Sequence, residues 1–304
     1  MPVQLLDGRV VLSHPKGASL EVLLFGATVT SWKAGSHRDP QPSERLFLSS
    51  KAVLDGSKPV RGGIPIVFPC FGPPVHPEHS RLPQHGFARS ELWKFDSVVM
   101  DNDAGVSVRL TLEPTPEIAA KYNRPFHLAY VLTLAEHQLS AALHVTNTST
   151  SADFPTDNLE FQALFHTYIL APAGQVLISP LQNVRYYDKT AAAEEDRNLA
   201  RVESRLGVDV LKFTDSVYED APQKYDVTWP GGGLEIKTNA LKDVVIWNPQ
   251  RDAGSRMADM EHAGWERFVC VEPGYVRGFA KAEPGKTWIG QQVLSVIQEE
   301  RRIT

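Results

Sequence analysis

Short runs in which apolar and polar residues alternate, separated by clusters of Gly, Asn, Asp and Pro, recur from one end of this chain to the other. A period of two puts successive side chains on opposite faces of an extended backbone, so the pattern restricts the chain to β-strands joined by turns. One hairpin is predicted from residues 97–100 through the turn 101–105 into 106–112, with Asp103 and Gly105 supplying turn chemistry. A second runs from 127–134 through 136–138 into 139–147, and further strands are predicted at 234–238, 243–247, 268–272 and 288–297. The 22 prolines and 21 glycines fall mostly outside these runs, as a sheet requires of them. The expected fold is all-β, a large antiparallel β-sandwich.

Helical periodicity is scarce. Residues 191–205 are the best helical segment, rich in Ala, Glu and Arg, but they lack an apolar stripe and fit an ordered surface loop as well. Residues 35–45 and 72–83 read as loops. A length of 304 residues allows two domains, yet no linker or internal repeat divides the chain, so 1–304 is expected to form a single domain.

With 42% hydrophobic and 22% charged residues the chain has an ordinary globular composition. A net charge of -5 with no basic stripe argues against nucleic-acid partners. The start, MPVQLLDGRVVLSHP, lacks the features of a signal peptide, and no run has the roughly 18 apolar residues of a membrane span. The expectation is a cytoplasmic protein, a monomer by default. Cys70 and Cys270 stand 200 positions apart, without zinc or redox spacing, and read as buried free thiols.

Chemistry-bearing residues concentrate in four segments. Around Gly62 and Gly63, and again in Q-H-G-F-A-R at 84–89, Arg61 and Arg89 can offer planar forks of donors to a phosphate, although a protein carboxylate could also be their partner. In the 161–170 run, alternation puts His166 on one face with Gln162, Leu164 and Tyr168, partly enclosed. Imidazole titrates nearest neutrality and can both give and take a proton; a satisfied core histidine is the plainer alternative. In 267–274, alternation turns Glu272 inward at the expected strand end, where a carboxylate must find donors or shift its pKa upward; a rim glutamate facing water is the plainer alternative. His76, Glu78, His79 and His85 lie close in sequence, but the prolines among them forbid a helical ligand face, and no metal is expected. The Gly-rich phosphate loop G-x-x-x-x-G-K-[ST], the dinucleotide G-x-G-x-x-G and the hydrolase G-x-S-x-G motifs do not occur in the sequence.

Taken in order, R-G-G-I-P at 61–65, Q-H-G-F-A-R at 84–89, F-x-A-L-F-H-T-Y at 161–168 and V-x-V-E-P-G at 269–274 resemble the glucose-6-phosphate 1-epimerases of the aldose 1-epimerase superfamily. The resemblance implies a galactose mutarotase-like supersandwich, no cofactor, a hexose 6-phosphate as the small-molecule substrate, and His166 and Glu272 as the catalytic pair. It also implies substrate contacts from Arg61, Gln84, Arg89 and Asp215, with His85 as a further candidate contact. In the expected mechanism Glu272 takes the proton of the C1 hydroxyl and His166 protonates the ring oxygen. Three alternatives stay open: an epimerase of unphosphorylated aldoses, a non-catalytic sugar-phosphate binding domain, and a glycosidase, for which the sequence offers no second carboxylate motif to pair with Glu272.

Overall fold

A computed structural model of the chain describes residues 2–36, 39–149 and 158–297. Part of the expected 35–45 loop, at 37 and 38, and the ends of the 1–304 range lie outside the described residues. The strands form three antiparallel sheets. A five-stranded sheet is built from the strands between Val3 and Glu44 in sequence order. One eight-stranded sheet has the hairpin Lys94–Asn102 and Gly105–Leu112 at one edge, continues through Phe126–Leu134, Gln138–Asn147 and Thr287–Ile297, and ends at Leu177–Ser179. The other is centred on Phe268–Ala282, flanked by Asp243–Asn248 and Thr214–Glu219 on one side and Leu159–Phe165 on the other.

Alternation explains the layering. In Gly105–Leu112 and Phe126–Leu134, Val106, Val108, Leu110, Leu128, Tyr130, Leu132 and Leu134 are all fully buried. They share one core cluster with Phe161, Val269, Val271 and Ile246 of the second large sheet and with Val10, Leu20 and Trp32 of the small one. Burial at about 25 cal/mol per Å² makes this shared apolar layer the main favourable term in folding. Both cysteines are buried free thiols, and among the described residues no helix is long and apolar enough to cross a membrane.

Three expectations need correction. Residues 191–205 are not a helix of that length: only Glu194–Arg197 is helical, followed by the short strand Arg201–Val202. Without an apolar stripe to bury, the segment had no packing energy to extend the helix. The strand predicted at 268–272 runs on to Ala282, so Glu272 is not at its end. Pro273 does not stop it, and stays in register opposite Val244. Conversely, the 161–170 run is interrupted: Leu159–Phe165 and Tyr168–Leu170 are separate strands, and His166 and Thr167 belong to neither.

Candidate active site

That interruption builds the site. Phe268–Ala282 pairs with Tyr168–Leu170 up to Cys270 opposite Tyr168, and with Leu159–Phe165 from Gly274 opposite Leu164. Glu272 sits in the gap between the two ladders, facing His166. The break is held from both sides: the His166 N–H donates to Pro65 O at 3.0 Å and the Val271 N–H to Thr167 O at 3.2 Å. The Thr167 hydroxyl, fully buried, is hydrogen-bonded to the side-chain amide of Gln292 in the opposite sheet. The result puts Nδ1 of His166 3.4 Å from Oε1 of Glu272. That nitrogen is buried and has no aligned hydrogen bond. The His166 ring stacks on Tyr168 at 4.8 Å and 8° and meets Trp247 edge-on at 5.9 Å.

Glu272 is 1% exposed and His166 9%. Burial pushes the Glu272 carboxyl well above the usual carboxylate range, helped by the like charge of Asp215 and opposed by Arg89. Burial likewise holds the His166 imidazole well below its usual value, with His85 and the two arginines adding to the effect. Both shifts favour the uncharged forms, the glutamic acid and the neutral imidazole.

Around this pair lies a cavity of about 410 Å³ lined by Arg61, Gln84, His85, Arg89, His166, Asp215 and Glu272, which gathers all seven residues singled out from the sequence. It is the size of a small-ligand site. Gly62 and Gly63 set the entry of Arg61. Both have positive φ, and a Cβ on Gly62 would come within 2.5 Å of Phe47 O, while one on Gly63 would run into Val29 O. No other residue type fits there.

The two arginines are not equivalent. Nε of Arg61 lies 3.2 Å from Asp259 and Nη1 donates to the Tyr168 hydroxyl at 3.0 Å. Burial lowers its pKa, but Tyr168 and Asp259 more than offset that and leave it raised. Arg89 has no carboxylate within ion-pair range among the described residues. Nη2 donates to Gln84 O at 3.0 Å, and Nε is buried without a partner. Burial pulls its pKa down to about 10, with Arg61 contributing repulsion. His85 has φ of 68°, and its Nδ1 accepts the Gly72 N–H at 3.1 Å, which leaves the proton of the neutral ring on Nε2. Burial first, then Arg89 and Arg61, drive its pKa down to about 3. This corner of the cavity holds two cations and a histidine that will not protonate, an arrangement suited to an anion.

On the other side, Asp215 lies within the strand Thr214–Glu219, and the Lys189 N–H donates to its carbonyl at 2.8 Å. Burial raises the Asp215 pKa to about 6, against the pull of Lys189. Trp247, in a segment that resembles the family but implies no role for it, also lines the cavity, as do Lys189, Phe71 and Met257, which no motif marks. Trp247 comes from Asp243–Asn248, where Asn248 is bonded to Trp265 O and Phe268 O and so fixes the chain after it.

Among the described residues, one group of possible metal donors is close together: His166, Cys270 and Glu272, with ligand atoms within 4.8 Å of one another. His76, Glu78, His79 and His85 do not gather into one. His76 faces Glu160 at 3.5 Å, His79 is buried against Tyr122 and Phe279, and His85 stands apart in the cavity.

Residues 8–295 match the family model for aldose 1-epimerase. The chain belongs to the aldose 1-epimerase family. A relative from Cenchrus ciliaris, named "Putative glucose-6-phosphate 1-epimerase", is 30% identical over 95% of this chain and 84% of its own length. A protein of the same name from Escherichia coli (strain K12) is 28% identical over 88% of this chain and 82% of its own. The fold is shared with a Salmonella typhimurium structure described as a mutarotase, at TM-score 0.83 and 24% identity over 98% of this chain and 93% of that one. A galactose mutarotase-like protein from Clostridium acetobutylicum has TM-score 0.71 at 15% identity, covering 98% of each chain. The sandwich of this family is therefore a galactose mutarotase-like fold.

Proposed function

We propose that this protein is a glucose-6-phosphate 1-epimerase that interconverts the α and β anomers of hexose 6-phosphates. The observation that carries the reading is the convergence in one cavity of a buried His–Glu pair with Arg89, a partly buried cation with no carboxylate in ion-pair range among the described residues. The names of its relatives support the substrate.

Anomerisation needs a proton removed from the C1 hydroxyl and one delivered to the ring oxygen as the C1–O5 bond opens. His166 and Glu272 together hold two exchangeable protons, one on the imidazole and one on the carboxyl, and a relay through both delivers one proton to the ring oxygen and takes one from the C1 hydroxyl. With Nδ1 against Glu272, the cavity-facing nitrogen of His166 is Nε2, placed to protonate the ring oxygen while Nδ1 receives the proton of Glu272. The carboxylate so formed takes the C1 hydroxyl proton. The open aldehyde turns about C1–C2, and the same steps in reverse close the ring on its other face. Arg89 and Arg61 hold the phosphate, while Gln84, His85 and Asp215 contact the sugar. Every step is a proton transfer, so the reading assigns no cofactor or metal.

The core shared by the three sheets supports a single domain over the described residues, and the mild net charge without a basic stripe speaks against a nucleic-acid partner. The test is exchange NMR between the anomers of glucose 6-phosphate, with free glucose as control. His166→Ala and Glu272→Gln are each expected to slow exchange by roughly 100- to 10,000-fold. Equal rates on glucose and its phosphate would replace the reading with an unphosphorylated-aldose epimerase. Binding without exchange would make the protein a sugar-phosphate binding module.

A further inference from the structure

A second cavity of about 560 Å³ adjoins the catalytic one, with Phe71, Gly72, Pro73 and Lys189 forming part of both walls. Nothing in the anomerisation described above uses it. Its floor is apolar, made by Val217, Val276 and Phe279, but its rim carries Lys189, Arg197 and Arg277 against one carboxylate, Glu194. Arg277 lies flat on the Tyr187 ring, 3.8 Å from its centroid, and its nearest carboxylate, Glu219, is at 3.9 Å. Arg197 donates from Nε and Nη2 to the carbonyls of Ala191 and Ala192, and no carboxylate among the described residues lies within ion-pair range of it. Both guanidinium groups are thus pre-positioned, Arg277 by stacking and a long ion pair with Glu219 and Arg197 by backbone carbonyls, and both line a cavity whose cations outnumber its carboxylates.

The orientation of the sugar follows from the proposed function, on which this inference rests. With the phosphate assigned to Arg61 and Arg89 and the C1–O5 bond to His166 and Glu272, the C2–C3 edge of the ring is assigned to the wall that holds Asp215 and Lys189, where the second cavity adjoins. We propose that the second cavity is a subsite for a short anionic substituent on that edge, so that the enzyme also accepts hexose 6-phosphates carrying a carboxyalkyl ether at C2 or C3. The apolar floor takes the alkyl part, and Arg277, Arg197 and Lys189 take the carboxylate. A neutral substituent would fill the same space without the charge-assisted hydrogen bonds.

The test measures anomer exchange by NMR for glucose 6-phosphate, its 2-O- and 3-O-carboxymethyl ethers and the matching neutral O-propyl ethers, with calorimetric binding of each. At least one carboxymethyl ether should exchange with a kcat/KM close to that of glucose 6-phosphate. Arg277→Gln and Arg197→Gln should each lower that value about tenfold while leaving glucose 6-phosphate unchanged. Exclusion of both carboxymethyl ethers by a wild-type enzyme that turns over glucose 6-phosphate would overturn the subsite. Equal losses for carboxymethyl and propyl ethers in the variants would overturn its charge preference. Should glucose 6-phosphate itself fail to exchange, the failure lies with the proposed function, and the binding arm still decides the subsite: tighter binding of a carboxymethyl than a propyl ether, lost in Arg277→Gln, supports it, and equal binding rejects it.

Discussion

Replacing Arg89 by Met should make the empty protein more stable and the enzyme worse, two effects of opposite sign from one side chain. Burial, chiefly, pulls the Arg89 pKa down from the ordinary guanidinium value to about 10. A pKa unit corresponds to about 1.4 kcal/mol, so folding disfavours the charged form by on the order of 3 kcal/mol. Because the folded pKa is depressed for a base, this penalty is present in full at neutral pH and is relieved only as pH rises above about 10 toward the ordinary guanidinium value. Met keeps most of the aliphatic stem but gives up the hydrogen bond to Gln84 O, worth about 1 kcal/mol. Partial exposure of the group reduces the gain further, leaving a net stabilisation of about 1 kcal/mol. Guanidinium unfolding at pH 7 without phosphate measures it. Exchange NMR should show kcat/KM for glucose 6-phosphate falling by roughly 10- to 150-fold, the equivalent of about 1.5 to 3 kcal/mol for a hydrogen bond to a charged group. Exchange of free glucose should be unaffected. A variant that loses stability in the empty state, or that loses activity equally on both sugars, would refute the view of Arg89 as an uncompensated cation waiting for phosphate.

Arg61→Met should behave differently. It strands Asp259 and the buried Tyr168 hydroxyl, so it should destabilise the empty protein by about 1 to 3 kcal/mol in the same unfolding assay. Asp215 has its pKa raised to about 6 from 3.8 by burial. The folded state therefore binds the proton first as pH falls, and the cost of the buried charge is present above about pH 6 and gone below 3.8. Asp215→Asn should accordingly raise stability at pH 7 by on the order of 2 kcal/mol, a gain that unfolding curves should show shrinking toward pH 4. Gly63→Ala must push a Cβ into Val29 O at positive φ, and should cost several kcal/mol in the same curves; a near-neutral result would show the 61–65 segment to be adaptable.

The strands were legible because burial on one face leaves a period-two trace in the residues themselves, as in 106–112 and 128–134, where alternate positions are fully buried. Of the seven residues that line the cavity, Arg61, Arg89, His166 and Glu272 stood out by residue type and local pattern, whereas Gln84, His85 and Asp215 came from the family resemblance. The exact ends of the strands were not. A strand stops where its neighbours stop pairing with it, and Phe268–Ala282 runs past Pro273 because Asp243–Asn248 and Leu159–Phe165 continue to pair alongside. Nor could the sequence show the partners of the two arginines: Asp259 lies 198 positions from Arg61, and the spacing of neither arginine hints at which one is compensated. Lys189 was missed for the same reason, since only the pairing of Asp188 with Ser216 brings it beside Asp215.

By itself, then, the sequence determined the all-β class, the hairpins and the chemical types available for proton transfer and anion binding, since these depend on local periodicity and on what each side chain can do. The tertiary structure alone decided that His166 leaves its strand to meet Glu272 in a gap between two ladders, that their burial pushes both toward their neutral forms, and that Arg89 faces the cavity unpaired. Those properties belong to distances and to exclusion of water, which arise only when segments far apart in the chain are packed together.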